Sequence, residues 1–153
     1  MIPASSRSPD LTSDTTDSPL GSLDLATLRL ESVADGIAEF TVPGTQYRLD
    51  LAVDAGLEDR TGRRIRGWVR GRALRMHRAS AGGNFIEPLQ GHPRIVQGVV
   101  LAVDPTGNEV VLDLVVPVRI AMHEDQDAGS FSTGDVVNFY MESGTRFEAE
   151  TVG

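Results

Sequence analysis

From Leu23 onward the apolar residues fall in short runs rich in Val, Ile, Leu and Thr, broken by Gly, Pro, Asp or Asn at intervals of about eight to twelve residues. No window keeps an apolar period of 3.6 across three turns, so the pattern predicts strands and negligible helix. The expected strands are Thr27–Val33, Ile37–Val42 after an Asp35-Gly36 turn, Gln46–Val53 after a Pro43-Gly44 turn, and a long basic strand, Arg63–Arg78. Phe85–Leu89 follows a turn over Ser80–Asn84, and Asp135–Met141 and Arg146–Val152 flank a Ser143-Gly144 turn. The strongest hairpin signal joins Arg94–Val103 to Glu109–Ile120 through Asp104-Pro105-Thr106-Gly107-Asn108, where proline presets the second turn position and glycine accepts a left-handed backbone. Val110, Val111, Leu112, Leu114, Val115, Val116 and Val118 make Glu109–Ile120 read as one central strand covered on both faces, with Pro117 near its end or at a bulge.

So many short strands imply closure, because a barrel removes exposed edges. The fold class predicted is all-β: small closed or partly open barrels, one or two of them. Residues 1–20, rich in Ser, Thr and Pro, cannot bury enough apolar surface to offset backbone entropy and read as a disordered tail. A faint internal repeat divides the rest into halves, 21–92 and 93–153. Gly36 to Val42 and Arg48-Leu49 correspond to Gly107 to Leu112 and Arg119-Ile120, and Gly62 to Trp68 corresponds to Gly134 to Tyr140. Over Arg94 to Phe147 the order of strand, hairpin, strand, acidic loop and Gly134-Asp135-opened strand resembles OB-type and TOBE-type barrels. That resemblance implies a fold and no particular function.

Composition narrows the chemistry. The 153 residues contain no cysteine and no lysine, and all 14 basic residues are arginine. Schiff-base, P-loop and thiolate chemistry are therefore excluded. Residues 1–59 carry net −8, residues 60–94 net +8 and residues 95–153 net −8, so the overall −8 hides a strongly basic middle. Overall acidity opposes indiscriminate binding to anionic polymers or lipid, while a local patch still focuses a field on one site. With no basic-apolar leader and no apolar run near the roughly 20 residues of a membrane helix, the expectation is a cytoplasmic protein with no membrane partner.

Within the basic strand, Arg64, Arg66, Trp68, Arg70 and Arg72 share one parity and Ile65, Gly67, Val69, Gly71 and Ala73 the other, so four guanidinium groups and an indole should line one face. After Ala73 the parity changes, with Leu74 and Met76 apolar and Arg75 and His77 polar, as a β-bulge produces. Charge for phosphates and a flat ring for a base are what single-stranded nucleic acid or a nucleotide needs, and Arg64, Arg66, Trp68, Arg70, Arg72 and Arg75 are the candidate ligand-binding residues. Trp68 should be partly exposed with a guanidinium over its ring; the alternative is that a bulge at Gly67 buries it as a core anchor. The competing account is that the arginines pair with the acidic flanks in a solvated network, making the chain a structural or assembly barrel and a candidate homo-oligomer.

Arg60-Thr61-Gly62-Arg63-Arg64 followed by Ser80-Ala81-Gly82-Gly83 also resembles the paired signature of PilZ domains, β-barrels that bind cyclic di-GMP. Arg60 and Arg64 match the first motif, and Ser80 and Gly83 the second. Arg78 stands where that family has an acid or amide, which removes the acceptor for a guanine edge. His77, His92 and His123 lack zinc spacing, and His123-Glu124-Asp125-Gln126-Asp127 lacks the EF-hand alternation, so no metal is expected and this segment reads as a mobile acidic loop. Ser80 and Ser143 lack a nucleophile elbow. The expectation is a non-catalytic module without a cofactor.

Overall fold

Alternation along the chain becomes alternation of burial in eleven strands: β1 (Leu25–Ala34), β2 (Ile37–Thr41), β3 (Arg48–Ala52), β4 (Arg64–Arg78), β5 (Phe85–Glu87), β6 (Gln90–Gly91), β7 (Ile95–Asp104), β8 (Glu109–Asp113), β9 (Pro117–Ala121), β10 (Val136–Met141) and β11 (Arg146–Ala149). The structure, a computed structural model, describes residues 23–80 and 82–151, so the tail expected over 1–20 lies outside the described residues. The only helical pieces among these are the three-residue 3-10 turns Glu58–Arg60 and Ala128–Ser130, and no helix among the described residues is long and apolar enough to cross a membrane.

The topology turns on β4. Along one edge it pairs first with β1, over Arg64–Trp68, and then with β9, over Val69–Arg72. Along the other edge it pairs with β11, over Gly67–Arg70, and with β10, from Ala73 to Arg78. The meander β1–β2–β3 reaches β11 and returns to β4; the meander β7–β8–β9 begins beside β10 and also returns to β4. The pairing thus traces two five-strand rings that share one strand. Closure leaves few open edges, which is why so many short strands coexist. The first strand of each meander carries a register shift, at Leu30/Ser32 and at Val100/Ala102.

The shared strand is possible because its inward residues are small where neighbours press closest. A Cβ at Gly67 would collide with the Glu148 carbonyl oxygen and lie 2.6 Å from the Phe147 ring, and a Cβ at Gly71 would lie 2.6 Å from Met141 Sδ. Phe147 instead fills that space and meets Phe40 with ring centroids 4.7 Å apart. Leu28, Leu30, Leu49, Leu51, Ile65, Leu112 and Ile120 complete one continuous apolar core.

Four sequence expectations are corrected. Glu109–Ile120 is two antiparallel strands, β8 and β9, joined by Leu114-Val115-Val116, with Asp113 opposite Pro117. Val115 sits at φ 98°, a conformation that glycine or asparagine ordinarily signals and that a β-branched residue masks. Pro117 opens β9, a place where its missing N–H is tolerated. The two-sided burial holds for β8, whose Val110, Val111 and Leu112 are all inaccessible. Phe85–Leu89 stops at Glu87, before Pro88. The bulge lies where parity predicted it, but Leu74 and Arg75 both occupy it between inward Ala73 and Met76, so Leu74 faces out at 48% exposure. Beyond the bulge, the Gln126 side chain accepts from Met76 N (2.7 Å) and donates to Met76 O (2.9 Å), anchoring the acidic loop read as mobile.

Gly67→Ala is expected to cost about 1–3 kcal/mol by overpacking. Gly83→Ala, where a Cβ meets nothing within 4 Å, should stay within about 0.5 kcal/mol; urea midpoints at unchanged slope measure both.

Candidate anion-binding site

Because Ile65, Gly67, Val69 and Ala73 must face the core, their neighbours in β4 face out. Arg64, Arg66 and Arg72 are exposed, and Trp68 and Arg70 half-buried, all on one face. Arg75 is exposed beyond the bulge, its guanidinium 3.9 Å from Asp125. Trp68 lies between Leu25 of β1 and Glu148 of β11. The guanidinium expected over its ring is not there: the cation–π contact among the described residues is Arg78 over Phe131, 4.9 Å from the centroid.

The register adds two arginines that sequence reasoning missed. Arg70 stands opposite Arg146 of β11 on one edge and opposite Arg119 of β9 on the other. Three guanidinium stems therefore lie in one cross-strand row at the sheet spacing of about 4.8 Å, an arrangement that repels itself unless compensated. They and Arg72 line a groove of about 250 Å³ closed by Glu109, Ala121 and the turn from Glu142 to Thr145. Arg119 and Arg146 are the only arginines after position 94. Their scarcity in an acidic segment was the available signal, but convergence on Arg70 is a property of register, which the sequence does not display.

Carboxylates flank the row on both sides. Arg146 Nη2 meets Asp54 at 2.8 Å, and Arg70 donates through Nε to Glu148 at 2.8 Å. Arg119, 5% exposed, meets Asp24 at 3.1 Å, Asp104 at 3.7 Å and Glu109. Burial is the largest single influence on the Arg119 guanidinium and pushes its pKa down, but hydrogen bonds and Coulomb attraction from Glu109 and Asp24 together outweigh it and hold the pKa above its ordinary value. Glu39, by hydrogen bond and charge, raises Arg48 in the same direction at the surface. Along the stripe Arg66 meets Glu150 at 2.8 Å; such exposed pairs contribute about 0–1 kcal/mol each and release their arginine readily.

Among the described residues in the lining, Arg72, Thr145 and Glu142 lack the partners that their neighbours have. No ion pair among the described residues involves Arg72. Thr145, 6% exposed, has a hydroxyl oxygen with no hydrogen-bond partner, which costs about 1–3 kcal/mol in a buried position. Glu142 also lines the groove, its N–H donating to the Arg72 carbonyl at 2.8 Å. The PilZ-like residues do not converge: Arg60 and Arg64 precede or open β4, and Ser80 and Gly83 follow its far end, 15 strand residues away. Among the described residues no cluster of His, Asp and Glu could hold a metal ion.

No protein-family model matches the chain, and no curated protein matches it in sequence. Its functional reading rests on this geometry.

Arg119→Ala would remove the buried guanidinium that Asp24, Asp104 and Glu109 share and is expected to cost about 3–5 kcal/mol. Arg72→Ala, at an exposed position outside the ion pairs of the described residues, should change stability by less than about 0.5 kcal/mol in the same denaturant titration.

Proposed function

We propose that this chain is a non-catalytic binding module whose β4 face receives an anionic partner, a single-stranded nucleic acid or a nucleotide. One observation carries the reading: five consecutive outward positions of a single strand hold four guanidinium groups and a half-exposed indole. Guanidinium groups neutralise phosphates, and an accessible ring stacks on a base whatever its sequence. We read the five-strand rings as OB-like units, and their matching register shifts favour a duplicated origin for the two halves. A cytoplasmic location fits the absence of thiols as well as any other and stays part of the proposal.

A second reading has its own support. The cross-strand pairs Arg66–Glu150 and Arg70–Glu148 are what a structural barrel with internally neutralised faces would contain, and such barrels assemble through opposed charges. A PilZ-like role is disfavoured by the separation of its two motif segments along β4.

Anisotropy of a labelled strand of about 15 nucleotides, DNA and RNA in turn, discriminates the readings. Binding at about 50 mM salt should weaken toward about 200 mM, and Arg64→Gln with Arg66→Gln should flatten the logarithmic salt slope by about 1.4, about 0.7 for each phosphate no longer neutralised. No binding at the lower salt, together with a discrete oligomer in sedimentation, would favour the assembly role.

A further inference from the structure

The groove at the end of the stripe differs from the rest of the β4 face. Elsewhere the arginines stand on an open surface; here Arg70, Arg72, Arg119 and Arg146 converge on one concavity from three strands. We propose that this groove seats a single terminal phosphoryl group, that of a nucleotide or of a phosphorylated strand end, with the adjoining base on Trp68. The inference rests on the reading of β4 as an anion-binding face and gives that face a direction.

Donor supply supports it. Arg70 is held through Nε, so both its terminal nitrogens remain free to donate, and Arg72 has no ion pair among the described residues. Two such planar forks match the oxygens of a phosphomonoester in a way that one ammonium cannot. Thr145 also lines the groove, but its hydroxyl oxygen is buried beneath the surface, so the arginines are the donors that a ligand meets. Arg119 has a different task, since Asp24, Asp104 and Glu109 already surround it; it fixes the floor of the groove.

Size and spacing agree with this. About 250 Å³ lies below the range of roughly 300–1,000 Å³ typical of pockets that enclose whole drug-sized ligands, so the groove suits a phosphate with part of a sugar and leaves the base outside. Trp68 is two residues from Arg70 on the same face, about 7 Å along the strand, which places a ring where that base would emerge. Glu109 in the lining is neutralised by Arg119, whereas no ion pair among the described residues involves Glu142. Glu142 therefore opposes an incoming anion, and its charge sets how tightly the groove holds one.

Calorimetric titration of the full chain with AMP, adenosine and inorganic phosphate tests the proposal, with Trp68 fluorescence as a second readout. AMP should bind at least about tenfold more tightly than adenosine and quench Trp68; inorganic phosphate should compete with AMP without quenching. Arg72→Gln should weaken AMP about tenfold, Glu142→Gln should tighten it, and Arg48→Gln, on β3 away from the groove, should leave it within about twofold. Anisotropy of a 5′-phosphorylated strand against its 5′-hydroxyl counterpart separates the two sources of the phosphate: preference for the former assigns a strand end, equal binding with tight AMP a free nucleotide. Equal affinity for AMP and adenosine, or an Arg72→Gln variant that binds AMP as the parent does, would overturn the groove. Strand binding lost on Arg64→Gln with Arg66→Gln would then still uphold the stripe, and tight AMP without strand binding would uphold the groove alone.

Discussion

One strand that must pair along both edges governs this molecule. β4 gives its first residues to β1 and β11 and its later ones to β9 and β10, so each ring closes through it. The inner face of such a strand has little room, and Gly67 and Gly71 meet that constraint by yielding their side-chain volume to Phe147 and Met141. With small and branched residues required inside, chemistry is confined to the outer face. There the chain has placed arginine almost without interruption.

The charge distribution along the sequence is a consequence of the same arrangement. The acidic segments before and after β4 fold around it, so Glu150 and Glu148 arrive beside its Arg66 and Arg70, while Asp24 and Glu109 meet Arg119 and Asp54 meets Arg146 at the two ends of the cross-strand row. Exposed pairs in this set are weak and exchangeable, whereas Arg119 with Asp24 is buried and tolerable only because the charges are matched. The result is a graded surface: a fixed, neutralised floor at Arg119, loosely tethered guanidinium groups at Arg66 and Arg70, and, among the described residues, two outside any ion pair at Arg64 and Arg72. Ligand exchange with carboxylates needs such a gradation, since donors locked in strong pairs would not turn to an incoming anion.

Much of the framework was legible in the sequence because it is written in local patterns. Parity alone placed Arg64, Arg66, Trp68, Arg70 and Arg72 on one face, and the change after Ala73 located the bulge. What stayed hidden has specific causes. Val115 holds a left-handed turn position that glycine or asparagine would have advertised, so β8 and β9 merged into one apolar run. Leu74 is apolar yet faces out, because a bulge places two residues where alternation allots one. Arg119 and Arg146 reach Arg70 only through pairings between strands distant in the chain, and no spacing in the sequence records that register.

Arginine side-chain NMR during titration with inorganic phosphate tests most directly whether the outer face of β4 is the site where anions bind. The Nε–H resonances of Arg70 and Arg72 should shift progressively and saturate together, while those of Arg29 and Arg48, paired with Glu31 and Glu39 on the first meander, stay in place. Uniform small drifts at all arginines, or a saturating shift confined to residues away from β4, would contradict the account.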